Sequence, residues 1–364
     1  MMHAAGWQAH SAVGSAPEPG VRALLRGQSN MLGEGKIAGT QNTSLTSLVQ
    51  AGEYPYLWDA TTKNWTTSKN IRNVFVMGSG GPGKTTVATN NFMNGGAGHR
   101  GSIGPELGIG GMLEKKDPTT PVMLLKSCIG NRALGWDLLP PTQKSFDWTD
   151  PKNSSLVWTY AGYHQSPNRW PKGTTPKPIA WVAGIQYDGD TSRADGVLKD
   201  LSTYYPGATD YEVAGFFWWQ GDRDSRDLAL TEHYESNLVA LIKALRLRYK
   251  APNAPFVAAS LGESTALSPL PLISSYKSEK SLCGTGQSTS DPTCVGNCGG
   301  GILKAEENIA DATKYPEFKG NYAFVDSHKF TQPGGSSGGH YGHNAKTYMD
   351  VGQAMGEAMV GLMK

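Results

Sequence analysis

Charge is scarce in this sequence, and neither sign dominates. Charged residues make up 18% of 364 positions, with 33 Lys plus Arg against 31 Asp plus Glu, a formal net charge of +2; an average soluble chain carries about 25%. That balance gives no electrostatic basis for nucleic acid or an anionic membrane surface as a partner. Long apolar runs are missing as well, and none approaches the roughly 18 residues of a membrane span. The first 20 residues, MMHAAGWQAHSAVGSAPEPG, lack the uninterrupted apolar core of a signal peptide. They read as a tag, a linker or a leader remnant and are set apart from the fold, which is expected as a single domain over 21–364.

Cysteine is also in short supply. Four in a chain of this length are too few for a disulfide scaffold. Three of them, Cys283, Cys294 and Cys298, fall in one Gly/Ser-rich stretch, without the CxxC pairs or nearby histidines of a zinc site. They read as one disulfide pinning that loop, with free thiols as the alternative. A disulfide implies an oxidising compartment, so an extracytoplasmic location, secreted or periplasmic, is expected. Glycine (46) and proline (22) are plentiful yet stay below the roughly 25–30% that marks low complexity. The chain should fold, with long ordered loops.

Short runs rich in Val, Phe and Leu recur: VRALL (21–25), NVFVM (73–77), VMLLK (122–126), VAGFFWW (213–219), FVAASL (256–261) and YAFVD (322–326). Continuous rather than alternating apolar character is the mark of strands covered on both faces. Two helices are legible between and after them. In TEHYESNLVALIKALRLRY, Tyr234, Leu238, Leu241, Leu245 and Tyr249 step by three and four residues, and Tyr348, Val351, Met355, Met359 and Leu362 form one stripe near the end. Strands interleaved with helices predict an α/β fold around a parallel, doubly wound sheet. Two segments, about 140–190 and 264–300, are too long for ordinary connections and read as insertions. The first carries Trp148, Trp158, Trp170 and Trp181, whose flat faces suit stacking on sugar rings or the plugging of gaps between loops.

Two sets of residues compete for the chemistry. Residues 78–85, GSGGPGKT, match the phosphate-binding pattern G-x-x-x-x-G-K-[ST]. Such a loop needs a helix starting at its Lys-Thr, and TVATNNFMNGG has no helical stripe, so nucleotide binding ranks last. The second set lies at strand ends. VRALL runs into RGQSNMLGEG, which puts Ser29 on a turn at the carboxyl end of the first strand, where open α/β sheets carry their sites. GFFWWQGDRD places Gln220, Asp222 and Asp224 just past another strand, and GGHYGHNAKTY places His340 and His343 before the last helix.

The blocks GQSNMLG, IGPELGIGGML, WWQGDRD and HYGHNAKTYMDVGQAMG resemble the sialate O-acetylesterase and acetylxylan esterase branch of the SGNH hydrolases. The resemblance implies a three-layer α/β/α sandwich with a central parallel sheet, of flavodoxin-like kind, and removal of acetyl groups from an O-acetylated saccharide through an acyl-enzyme. It implies no metal and no cofactor. Ser29 would be the nucleophile and His340 the general base. The oxyanion donors would be the N–H groups of Ser29 and Gly130 and the side-chain amide of Gln220, charge-matched donors of the kind such reactions depend on. One position departs from the family pattern: Ser337 stands three residues before His340, where many relatives carry Asp. The orienting acid is then expected to be Asp222, with Asp326 and Asp224 as alternatives and a bare Ser/His dyad as the last. His343 reads as a local hydrogen-bonding or cleft-lining residue, and Arg132 as a substrate contact or a structural ion pair. A general carboxylesterase and a carbohydrate-binding relative without catalysis are the rival functions.

Overall fold

The computed structural model describes residues 20–27, 29–39, 43–151, 153–262, 299–331 and 340–363. The opening segment, the three clustered cysteines with nearly all of the second insertion, and Ser337 lie outside them.

The principal sheet is built from β1 (Gly20–Gly27), β2 (Thr67–Met77), β3 (Thr86–Asn94), β4 (Val122–Ser127), β5 (Tyr211–Trp219), β6 (Phe256–Ala259) and β7 (Tyr322–Val325). Their order across the sheet is β7-β6-β5-β1-β4-β2-β3. The six strands that coincide with the apolar runs pair in parallel. The seventh corrects the expectation of a parallel sheet, because β3 runs antiparallel to β2 as the return arm of a hairpin. Its sequence, TVATNNFMN, is largely polar and its residues are exposed or half-buried except Met93, as suits an edge strand; no continuous apolar run announced it.

That hairpin also disposes of the nucleotide reading. GSGGPGKT is the turn between β2 and β3, and a strand rather than a helix follows it. Some of its backbone groups have protein partners: Gly80 N–H donates to Gln186 Oε1 (2.8 Å), and Arg193 Nη2 donates to the Gly80 and Gly81 carbonyls (3.2 Å each). A Cβ at position 78 would stand 2.4 Å from Arg193 Nε. Glycine is needed there for a buried arginine, not for a phosphate.

Helices cover both faces. On β4, Val122 and Leu124 join one apolar cluster while Met123 and Leu125 join another, the alternation expected of a strand buried on both sides. The first cluster includes α1 (Glu106–Lys116) and α5 (Ala345–Leu362). The second includes α2 (Ile185–Lys199), α3 (Tyr234–Arg248) and α4 (Gly299–Ile309). Tyr234, Leu238, Leu241 and Leu245 are all buried, as are Tyr348, Val351, Met355 and Met359. Helices α1 and α5 meet backbone to backbone. A Cβ at Gly108 would lie 2.4 Å from the Met349 carbonyl oxygen, and one at Gly352 only 2.3 Å from that of Pro105.

The 140–190 insertion is ordered around a small antiparallel sheet of Phe146–Thr149, Val157–Tyr160 and Arg169–Pro171. Trp148 is buried in it and donates Nε1–H to Glu232 (2.7 Å), so this indole is a packing element. No helix among the described residues is long and apolar enough to cross a membrane.

Candidate active site

Strand β1 lies at the middle of the sheet, between β4 and β5. The chain fills one side of it with β2, β3 and β4 and then the other with β5, β6 and β7, so its carboxyl end is the switch point where such sheets open a crevice. There the backbone turns into a single helical turn, Ser29–Leu32. The backbone of Ser29 is described; its side chain lies outside the described set. Asn30 and Met31 behind it are buried, at 2% and 0% exposure.

That turn is braced from below. Lys126, on β4, is 2% exposed; its Nζ donates to the Leu32 carbonyl (2.9 Å) and to Glu106 Oε2 (2.9 Å) and lies 4.6 Å from the centre of the Phe75 ring. Glu106 Oε1 accepts from Gly104 N–H (3.0 Å). A buried ion pair thus ties β4 and the start of α1 to the end of the serine turn. Neither residue stood out in the sequence, although Glu106 lies inside the IGPELG block.

The histidine arrives from the far end of the chain. His340 is half-buried, and its Nδ1 lies 3.2 Å from Asn30 Oδ1, across 310 positions of sequence. Residues His340, Tyr341, Gly342 and His343 all have positive φ, between 49° and 60°. Three of these are not glycine, and each such residue costs on the order of 1–3 kcal/mol unless its surroundings hold it. Here they do. Tyr341 is fully buried, its hydroxyl accepts from Gly262 N–H (3.0 Å), and its ring packs against Trp219 and Tyr348. Asn344 then caps α5 by accepting from Lys346 N–H (2.9 Å). His343 Nδ1 lies 3.2 Å from the Glu34 carbonyl oxygen, so this ring is tied to the loop after the serine turn.

Gly130 is half-buried in the loop after β4. Arg132, two residues on, donates to the Asn131 carbonyl and to Ser79 Oγ (3.0 Å each), and its guanidinium lies 5.0 Å from the Trp181 ring centre. Gln220 is fully buried, with Nε2 donating to the Arg132 carbonyl (2.9 Å) and to Asp224 Oδ2 (2.6 Å), and Oε1 facing the Tyr234 hydroxyl (3.0 Å). Both amide hydrogens are therefore engaged inside the protein. For Gln220 to serve an oxyanion, as expected from the sequence, one of those bonds would have to be released.

The three candidate acids point elsewhere than His340. Asp222 pairs with Arg226 one helical turn on (2.6 Å). Asp326 Oδ1 lies 2.8 Å from His328 Nδ1; burial alone would raise this carboxyl, but the hydrogen bond and charge of His328 outweigh it and hold it low. Asp224 is fully buried and accepts from Leu134 N–H and Gly135 N–H (2.8 Å each) as well as from Gln220. It is the floor of the loop that carries Gly130 and Arg132.

Asp224 should be visible in stability. Burial pushes its carboxyl up to about 7, against the opposing pull of its three donors. An unfolded Asp titrates near 4. Between about pH 4 and pH 7 the folded chain therefore holds a proton that the unfolded chain has released, and this site makes the fold less stable as pH rises through that window. Asp224→Asn removes the titration and is expected to flatten that part of the curve. Urea midpoints measured from pH 4 to pH 8 on both proteins decide it; parallel curves would clear Asp224 as the source.

Residues 179–283 match the family model described as carbohydrate esterase, sialic acid-specific acetylesterase. The match includes WWQGDRD but neither the serine turn nor the histidine segment. No curated protein matches the chain. Among solved structures, a protein from Arabidopsis thaliana is similar over 95% of this chain and 100% of its own, at 13% identity and a TM-score of 0.49. A carbohydrate acetylesterase from Xanthomonas citri is similar over 94% of this chain and 56% of its own, at 14% identity and a TM-score of 0.49. NanS is similar over 88% of this chain and 80% of its own, at 15% identity and a TM-score of 0.35.

Proposed function

We propose that this chain, whose residues 179–283 match the carbohydrate esterase model, is a carbohydrate O-acetylesterase of the acetylxylan or sialate type that works through a serine acyl-enzyme. We read residues 21–364 as one three-layer α/β/α domain of the SGNH kind, supported by the separate apolar cluster on each face of the sheet. The observation that carries the functional reading is the 3.2 Å approach of His340 to Asn30, the neighbour of Ser29, at the carboxyl end of the central strand.

In this reading His340 takes the hydroxyl proton of Ser29 as the serine oxygen attacks the acetyl carbonyl. Negative charge gathers on the carbonyl oxygen and is met by the N–H groups of Ser29 and Gly130. Such preorganised donors are each worth on the order of a hundredfold or more in rate. When the tetrahedral centre collapses, His340 returns the proton to the departing sugar hydroxyl. Water, activated by the same imidazole, then frees acetate from the serine. Gln220 and Asp224 act from beneath, holding the loop that carries Gly130 at the height the oxyanion needs. The half-buried Arg132 and Trp181 form a rim beside that loop, a flat cationic edge suited to sugar hydroxyls.

Acetate release from acetylated xylan, an O-acetylated sialic acid and a nitrophenyl acetate tests the proposal. Turnover of at least one acetylated saccharide is expected. Turnover of the nitrophenyl ester alone would point to a general carboxylesterase, and no release from any of them, with saccharide still bound, to a binding protein.

A further inference from the structure

We infer that Arg132 reads a carboxylate on the saccharide, so that the substrate is an acidic sugar or a chain with an acidic sugar beside the acetylated one. The inference deepens the esterase reading and rests on it for the place where the acetyl group sits.

The sequence left Arg132 two roles, a substrate contact or a structural ion pair, and the fold does not build the second. Arg169, Arg193, Arg226 and Arg248 each pair with an aspartate. Arg132 forms no ion pair among the described residues, and its hydrogen-bond partners are all neutral. Its Nη1 donates to the Asn131 carbonyl and its Nη2 to Ser79 Oγ (3.0 Å each), while Nε lies 3.5 Å from Gln186 Oε1. The charge of Arg132 acts on Asp137, yet that carboxyl is buried, accepts from Ala133 N–H (2.8 Å) and is raised by its burial. A half-buried guanidinium beside the proposed oxyanion loop thus stands without a paired carboxylate.

It is also held in one orientation. Its central carbon lies 5.0 Å from the centre of the Trp181 ring, a cation–π contact. Ser79, on the other flank, sits in a turn that Gln186 clamps on both sides: Gly80 N–H donates to Gln186 Oε1 (2.8 Å), and Gln186 Nε2 donates to the Gly78 carbonyl (2.9 Å). From below, the Arg132 carbonyl accepts from Gln220 Nε2 (2.9 Å). The GSGGPGKT turn therefore has a part in the site, since its serine aims the arginine. Each terminal nitrogen of a guanidinium has two hydrogens, so one on each remains for a ligand. Such a planar fork matches a carboxylate with two parallel bonds, and a group already immobilised loses little freedom on binding.

The place suits a substituent of the substrate. Gly130 and Arg132 are two residues apart, a separation of at most about 7 Å along the chain. A saccharide whose acetyl carbonyl meets the Gly130 N–H therefore brings a group of the same or the next ring within reach of the guanidinium. A hydroxyl there would gain a hydrogen bond to a cation; a carboxylate gains two charge-assisted bonds and supplies the missing counter-charge.

A sialic acid and a uronic acid both carry that group, and paired substrates separate them. Acetate release is compared for an O-acetylated N-acetylneuraminic acid and its methyl ester, and for an O-acetylated methyl glucuronoside and the matching glucoside. In at least one pair the acid is expected to have a kcat/KM about tenfold or more above its neutral partner, mostly through KM. Arg132→Gln should bring that ratio to within about threefold of unity, and Arg132→Lys, which keeps the charge but not the fork, should leave it in between. A damaged fold lowers both members of a pair alike and leaves the ratio in place. Should Arg132→Gln fail to fold, Ser79→Ala frees one flank of the guanidinium and is expected to lower the ratio about threefold.

A wild type that treats acid and neutral partner alike in both pairs overturns the inference while leaving the esterase reading intact, as does an Arg132→Gln variant that keeps the ratio. If no acetate is released from any of the four, the esterase reading fails, and titration with N-acetylneuraminic acid and with glucuronic acid, followed by tryptophan fluorescence, tests the carboxylate site alone. Saturable binding by the wild type that Arg132→Gln weakens about tenfold supports it; no binding, or equal binding by both proteins, rejects it.

Discussion

Replacing Ser29 by alanine is expected to reduce acetate release by about four orders of magnitude or more. The estimate follows from how serine hydrolases respond when a member of the nucleophilic set is removed: what survives is the contribution of the oxyanion donors and of binding alone. Alanine keeps the backbone N–H of position 29, so the proposed oxyanion donor is retained while the attacking oxygen is lost. KM should change little, because the hydroxyl contributes to the transition state far more than to the bound saccharide. A serine-directed organophosphorus reagent should add one label to the wild type, located at Ser29 by peptide mass, and none to the variant. Near wild-type turnover in the alanine variant would remove Ser29 from the chemistry, whatever the reagent labels.

The second large effect concerns stability. Lys126→Met deletes one half of a pair whose side chains are 2% and 5% exposed, leaving the Glu106 carboxylate buried without its cation. Breaking a buried pair from one side costs about 3–5 kcal/mol, most of it the cost of the stranded charge. The double variant Lys126→Met/Glu106→Gln strands no charge and keeps an amide oxygen for the Gly104 N–H that Glu106 Oε1 now accepts. It should recover most of the loss, though the Leu32 carbonyl is left without its donor in both variants. Urea unfolding with an unchanged m-value gives the comparison directly. A single variant within about 1 kcal/mol of wild type would mean that water or a rearranged donor reaches Glu106, and that the brace under the serine turn is weaker than its geometry implies.

Strand by strand, much of the architecture was present in local sequence. The six apolar runs became the six mutually parallel strands, and the stripes at Tyr234–Leu245 and Tyr348–Met359 became the buried faces of α3 and α5. Both signals arise from burial, which selects apolar side chains at the period of the element they sit on. The β3 hairpin arm escaped because an edge strand half in solvent needs no such run. GSGGPGKT shows the converse hazard: its glycines answer to Arg193 and a tight turn, and only the strand that follows reveals it.

At the site, the sequence by itself determined which loops would meet. Ser29, Gly130, Gln220 and Asp326 each follow a strand that enters the sheet in the same direction, so their shared edge follows from the parallel order. What those side chains do there was decided by tertiary structure. Asp222 turns to Arg226 because four residues along a turning backbone bring the charges together, whereas Gln220 is spent on a buried network of Asp224, Tyr234 and the Arg132 carbonyl. The contact of His340 with Asn30 spans 310 positions, and no periodicity or turn rule reaches so far. It depends on where α5 docks across α1 and on the left-handed turn that Tyr341 pins into the core, and packing of that kind exists only once the whole sheet has formed.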